Sequence, residues 1–262
     1  MTGQLAHIVQ EVGASLLAWR AADIIDGHWD GAQFKARADK MAHQALSALL
    51  LKLAPRIPII SEEDTGSLVR ERPSRYWLID PIDGTASFVN GFQGYVTQVA
   101  LIEDDAPSLA AIYAPDLKLL YTAERTKGAF LNEKRLQVTA ADNELTTLID
   151  NYPEPRGTTL AAFNELPFKK YIECGSISLK ICKVADGTAN VFFKDVTIRD
   201  WDVAAPQLVL EEAGGMLREI TGHAISYMGG YEHPGLVAAE SIEVCRRIVS
   251  WYDSYRKRGV SQ

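Results

Sequence analysis

Cysteine is scarce in this 262-residue chain: Cys174, Cys182 and Cys245 are the whole supply, and no two of them stand in a C-x-x-C spacing. An odd, sparse set fits a reduced, intracellular protein rather than a disulfide scaffold. Each thiol reads as a small buried hydrophobe; Cys182 and Cys245 sit in apolar helical patterns, and no histidine pattern marks a catalytic thiol. Basic charge is also short. Lys and Arg number 27 against 34 Asp and Glu, a formal net charge of −7. That argues against the clustered basic excess of a nucleic-acid-binding surface, so no nucleic-acid polymer is expected as a partner. It leaves anionic substrates open, because a bound divalent cation reverses the local sign. No apolar run approaches the ~18 residues of a membrane span, and no membrane partner is expected. The opening MTGQLAHIVQEVGASLLAWR lacks an early basic segment and reads as an amphipathic helix rather than a signal peptide; the expectation is a cytoplasmic protein.

What is present is the composition of a soluble globular protein, 47% apolar and 23% charged. At this length a core forms without a disulfide or metal staple. Residues 4–20 and 38–53 carry apolar residues at helical spacing, and Pro55 and Pro58 end the second helix. The intervening DGHWDGAQFKARAD reads as a polar connection. Runs rich in β-formers follow, IPIIS, YWLID, YVTQVALIE, LAAIYAP, KLLYTAE and GAFLN, punctuated by turns. Residues 56–135 therefore predict a mostly antiparallel sheet behind two helices. Beyond residue 140 strands and helices alternate, which suggests an α/β half. The expected division is an N-terminal α+β half over 1–140 and a C-terminal α/β half over 141–262.

WLIDPIDGTASF, residues 77–88, ends an apolar strand in Asp80 and adds Asp83 three residues on. Pro81 fixes φ and holds the turn rigid. Asp80, Asp83 and the Ile82 carbonyl converging on one point repel one another unless a hard cation sits between them, and magnesium takes oxygen ligands of this kind. A helix starting at Gly84-Thr85 aims N–H groups at an anion. Taken alone, the hexapeptide fits a capped turn equally well. SEED places Glu62, Glu63 and Asp64 at the exit of another strand. In RDWDVAAP, Asp200 reads as a helix N-cap, while Asp202 lies too far inside to cap and reads as a ligand. GSISLK offers Gly175-Ser176 before a helix and Lys180 within it, a second anion cradle or a simple cap.

SEED, DPIDGT, GSISLK and WDVAAPQLVLEEAGG, in this order and spacing, resemble the inositol monophosphatase superfamily, magnesium-dependent and lithium-sensitive phosphomonoesterases. The resemblance spans roughly residues 35–240. It implies a layered αβαβα sandwich, mixed α+β and α/β, of the inositol monophosphatase and fructose-1,6-bisphosphatase type. It also implies two or three Mg2+ ions per site. Glu62, Asp80 and the Ile82 carbonyl correspond to ligands of one ion, and Asp80, Asp83 and Asp202 to those of a second. Thr85 corresponds to the residue that orients the attacking water, backed by Asp39 in ARADKMAH; Glu63 supports the ligands from behind. Gly84, Thr85, Gly175 and Ser176 correspond to phosphate contacts. Where relatives carry a Ser-Pro-Val-Thr-like stretch this chain has AQFKARAD, which leaves the roles of Lys35 and Arg37 open.

SLK, SEED and RYWLIDP resemble the 3'(2'),5'-bisphosphate nucleotidase branch, in which Lys180 would suit a second phosphate. Ala86 after DGT departs from that branch, and SFV leans towards inositol or sugar phosphates. Adenosine 3',5'-bisphosphate is the first expectation, with an inositol or sugar monophosphate as the alternative. A regulatory interaction protein on the same fold is the alternative of another class. Either Lys194 or Asp195 faces the substrate, depending on a one-residue register. Dimers are common among the relatives, so a homodimer is possible.

Overall fold

Apolar side chains at helical spacing bury one face of each of the first two helices, and that face is laid on a sheet whose strands come later in the chain. The computed structural model describes residues 1–24, 27–30, 33–68, 71–138 and 145–259. Helix α1 (Thr2–Ala21) is followed by the hairpin β1 (Gly27–Asp30) and β2 (Gln33–Ala36), then α2 (Arg37–Leu53). That hairpin lies where the sequence reads as a connection. Next come β3 (Ile59–Ser61), the short α3 (Thr65–Leu68), β4 (Arg75–Asp83), the short α4 (Thr85–Val89), β5 (Val96–Glu103), β6 (Ala106–Ala114), β7 (Leu119–Glu124), β8 (Gly128–Leu131) and β9 (Lys134–Arg135). The C-terminal elements are β10 (Thr147–Asp150), α5 (Gly157–Glu165), β11 (Lys170–Glu173), α6 (Ile177–Ala185), β12 (Val191–Lys194), β13 (Ile198–Arg199), α7 (Asp200–Glu212), β14 (Met216–Glu219), β15 (Glu232–His233), β16 (Leu236–Ala239) and α8 (Ile242–Gly259).

Strands β3 to β9 form one seven-stranded sheet in chain order. Only the β3–β4 pair in it is parallel. A five-stranded sheet runs β11-β10-β12-β16-β14. Strand β4 reads as a continuous apolar run because both its faces are covered. Trp77 and Ile79 pack with Leu5, Val9, Leu46 and Leu50 of α1 and α2. Tyr76 and Leu78, pointing the other way, pack with Leu179 of α6 and Val203 and Leu208 of α7. The same inner cluster takes Ile149, Phe192 and Ala238 from the second sheet, whose outer face meets α5 and α8 through Ala162, Val244 and Ile248. The layers are thus helix, sheet, helix, sheet, helix, the αβαβα sandwich that the sequence implied. Both sheets send polar strand ends towards the helix starts of the central layer, and there the acidic motifs meet.

Candidate active site

A regular strand sends residues three apart to opposite faces. Asp80 and Asp83 avoid this through a slip in pairing: Asp80 faces Gln98 while Asp83 faces Val96, so β4 carries one residue more than β5 across this interval. Such a bulge re-aims a side chain, and Pro81, which has no N–H to lose, sits inside it. Asp80 Oδ1 accepts the Ile82 N–H at 3.1 Å, which tightens the turn.

Asp202 arrives from the second half of the chain, in the first turn of α7, where its Oδ2 accepts the Arg199 N–H at 2.8 Å. Carboxylate oxygens of Asp80, Asp83 and Asp202 lie within 4.8 Å of one another. Glu62 follows the end of β3, and since Ser61 is level with Ile79 in the parallel β3–β4 pair, Glu62 emerges beside Asp80. It stands outside the tightest group of three but within its field. Burial, with Asp202, Glu63, Asp39 and Asp83 adding to it, pushes the Glu62 carboxyl up to about 8. Burial and the Asp83 charge push Asp202 up to about 7, and burial with Glu62 pushes Asp80 well above the usual carboxylate range. Among the described residues no lysine or arginine forms an ion pair with Asp80, Asp83 or Asp202. Hard oxygen donors gathered without a cationic partner suit magnesium.

Thr85 and Asp39 meet as the sequence implied. The Thr85 hydroxyl lies 3.1 Å from Asp39 Oδ1 and 3.0 Å from the Ile82 carbonyl. Asp39 is buried on α2, brought there by the packing of that helix on β4. Gly84, at φ +89°, turns the chain between Asp83 and Thr85; a side chain there would also meet the Gly94 carbonyl at 3.0 Å. Glu63 is half-buried, and its N–H donates to Ser61 Oγ, which contacts His43 Nδ1 at 2.9 Å. Lys35 lies outside the residues whose side chains are described, and Arg37 is exposed.

Three expectations are corrected. The Ser176 hydroxyl is fully buried and donates to Asp83 Oδ2 at 2.6 Å, while accepting the Leu179 N–H as the α6 cap. The N–H groups of Ile177 and Ser178 also go to Asp83, at 3.3 and 2.7 Å. The start of α6 therefore holds a carboxylate of the chain itself rather than standing open to an anion, and Asp83 is locked by it. Gly175 permits the close approach that this requires: a side chain there would fall 2.7 Å from the Gly94 carbonyl. Lys180 is fully buried as well. Its ammonium bonds Asn151 Oδ1 and reaches the Cys174 and Gly175 carbonyls at 3.3 Å, above the Phe192 ring. Burial lowers it to about 8. It braces the loop from below and does not line the cavity beside it. Asp200 is not the helix cap; Arg199 holds that place. Asp200 is buried in an ionic chain, 2.5 Å from Arg72 Nη1 and 2.7 Å from His233 Nε2, with His233 Nδ1 3.1 Å from Glu219.

A cavity of about 890 Å³ opens beside this cluster, walled by Gly84, Ala86, Ser87, Asn151, Tyr152 and Gly175 among others. Lys194 and Asp195, which the sequence left as alternatives, are both engaged: Lys194 Nζ bonds both oxygens of Asp150 at 2.8 and 3.0 Å, and Asp195 accepts the Thr158 hydroxyl. Sequence reasoning missed Gln98, Ser178, Arg72 and His233. Ser178 stood inside a quoted motif, but nothing in the sequence marked the other three.

The profile of the inositol monophosphatase family matches residues 6–249. The 3'(2'),5'-bisphosphate nucleotidase CysQ of Salmonella typhimurium is 34% identical over 195 residues, 72% of this chain and 78% of that protein. The Nus factor SuhB of Escherichia coli K12 is 31% identical over 212 residues, 78% of this chain and 79% of that protein. Among solved structures, the extragenic suppressor protein suhB from Bartonella henselae shares the fold with a TM-score of 0.81, covering 95% of this chain and 96% of its own at 24% identity.

Proposed function

The chain belongs to the inositol monophosphatase family and is a phosphatase; from that premise we propose that it is a magnesium-dependent phosphomonoesterase acting on a 3'(2'),5'-bisphosphate nucleotide, adenosine 3',5'-bisphosphate first, to give the 5'-monophosphate and inorganic phosphate. The observation that carries the reaction class is the convergence of Asp80, Asp83 and Asp202 beside the Thr85–Asp39 pair. Asp80, Asp83 and Asp202 would hold one ion, and Glu62, Asp80 and the Ile82 carbonyl another, for two or three in all. When bound, magnesium supplies neutralisation of the phosphate dianion, a more acidic water and support for the departing alkoxide.

The chain's own groups do the rest. The single Thr85 proton is shared between Asp39 Oδ1 and the Ile82 carbonyl, which leaves the Thr85 oxygen free to accept a hydrogen bond. A water donating to Thr85 Oγ1 is thereby oriented, and Asp39 receives the proton relayed through the hydroxyl. The N–H groups of Gly84 and Thr85 would meet the phosphate, and Asp83 stays aimed by Ser176 and Ser178. No covalent intermediate is needed.

One observation supports the nucleotide as substrate: relatives bearing the nucleotidase name match at 32–34% identity. The description of the matching family favours a second reading, an inositol phosphate, and the relatives called Nus factor SuhB, at 31%, favour a regulatory interaction. A kinetic panel of adenosine 3',5'-bisphosphate, inositol 1-phosphate and fructose 1,6-bisphosphate, with magnesium or EDTA and with lithium, separates these readings. Preference for inositol 1-phosphate removes the nucleotide assignment. Absence of turnover on every ester under every metal removes the assigned chemistry.

A further inference from the structure

Pro206 stands inside α7, four residues after Asp202. A proline within a helix offers no N–H to the carbonyl four residues back, so the Asp202 carbonyl has no helical donor. The donor it does have comes from another helix: the Ser178 hydroxyl, at 2.8 Å. That hydroxyl in turn accepts Gln98 Nε2 at 2.6 Å, and the same Nε2 donates to the Trp201 carbonyl at 2.7 Å. Gln98 and Ser178 are both sealed from solvent.

These two side chains touch every segment that carries a carboxylate of the group of three. Gln98 is the cross-strand partner of Asp80 at the edge of the bulge. Its amide and the Ser178 hydroxyl hold the main chain of Trp201 and Asp202, and the Ser178 N–H donates to Asp83 Oδ2. Neither side chain reaches a carboxylate oxygen of the three. Gln98 Oε1 is buried without a partner. A buried acceptor left unpaired is costly to a fold, and leucine or methionine of similar length would avoid that cost while filling the space. The amide's two donors, both spent on the start of α7 and α6, are what distinguish glutamine here.

We infer that Gln98 and Ser178 are positioning residues for the cation site: they hold the Asp202 backbone against Asp80 and Asp83, taking the place of the helical hydrogen bond that Pro206 removes. Like charges gathered without an ion push the segments apart, and this node resists the splay by tying β5, α6 and α7 together. The inference rests on the reading of Asp80, Asp83 and Asp202 as ion ligands.

Mn2+ binding to Gln98→Met, Ser178→Ala and the double variant, followed by calorimetry and by the Mn2+ electron-paramagnetic signal, tests it, with unfolding of the metal-free proteins measured alongside. Groups that orient metal ligands are typically worth 10- to 100-fold in affinity, and a loss of about that size is expected in each single variant. The double variant should bind no more weakly than the worse single one, since both cut the same chain. In a Pro206→Ala background the Asp202 carbonyl regains an N–H, and Ser178→Ala should cost less. Unchanged Mn2+ affinity with a lowered unfolding midpoint overturns the inference and makes the node packing alone. Should Gln98→Met not fold, Ser178→Ala, which deletes one hydroxyl and keeps the N–H on Asp83, decides alone. Wild-type protein that binds no Mn2+ overturns the ligand reading itself, a result distinct from the failure of the node.

Discussion

Replacing Asp202 by asparagine should stabilise the metal-free protein while weakening its response to magnesium. Burial and the neighbouring Asp83 raise this carboxyl from 3.8 to about 7, so holding it ionised in the folded state costs stability. At about 1.4 kcal/mol per tenfold change in proton affinity, a displacement of roughly three decades corresponds to about 4 kcal/mol as a ceiling. Asparagine keeps an oxygen for the Arg199 N–H, now 2.8 Å from the carboxylate, but as a neutral acceptor. That weaker bond returns about 1 kcal/mol of the gain. A net gain of about 2–3 kcal/mol remains, or roughly 5–10 °C for a chain of this size. The sign follows from linkage. A carboxyl raised in the folded state incurs no cost below its unfolded value, and the cost is complete above its folded one. The advantage of Asp202→Asn should therefore be absent near pH 3.8 and complete above about pH 7. Thermal unfolding in EDTA from pH 4 to 8.5, repeated with saturating magnesium, checks this. Magnesium should raise the wild-type midpoint by mass action and raise that of the variant by less, since the variant keeps only the ligands of the other ion intact. A variant less stable than wild type at pH 8 without metal, or a gain that ignores pH, would refute the reasoning.

Thr85→Ala and Asp39→Ala should each lower kcat by about 100-fold or more, and the double variant should lose little beyond either, because the two groups form one relay; steady-state kinetics at saturating magnesium would reveal additive losses if they act separately. Lys180→Met should impair mono- and bisphosphate substrates equally, since its ammonium is spent on Asn151 and two carbonyls below the cavity; a selective loss on the bisphosphate in parallel kinetic assays would put Lys180 back in contact with substrate. Burial opposes the charge on His233, but its contacts with Asp200 and Glu219 outweigh this and raise it above 6.5. Its contribution is thus complete below pH 6.5 and lost as pH rises through the folded value. His233→Gln should flatten the fall in stability above that pH, and an unchanged profile in chemical denaturation would exclude His233 as its source.

The acidic motifs were legible because each stands at a strand exit, and strand exits can be read from apolar runs. SEED and DPIDGT follow two such runs, and the parallel β3–β4 pair places Glu62 beside Asp80. The layer order was legible through the four motifs together rather than through periodicity. What escaped is long-range. The bulge that brings Asp83 round to Asp80 depends on β5 pairing, which no local pattern announces. Lys180 looked like a stray cation on an apolar helix; its partner Asn151 lies on a separate loop. Asp200 has the right residue type for a cap, yet Arg72, 128 positions earlier, claims it. Strands β1 and β2 fall in GHWD and QFKA, four residues each, too short for a strand pattern to stand out in the sequence.

The balance of costs also bears on whether this chain kept its fold for catalysis or only for interaction. Glu62, Asp80 and Asp202 all carry carboxyls raised by burial and by neighbouring carboxylates, and such a gathering works against folding at neutral pH. An interaction module needs the outer surface and the layers beneath it, and single changes to asparagine or alanine in the cluster would relieve it of that cost. The chain retains the whole acidic set. It also spends the start of α6 on aiming Asp83, and Thr85 on Asp39, neither of which an outer surface requires. A stability penalty accepted at one internal point, with converging groups that hold it in place, is the mark of a site maintained for its chemistry.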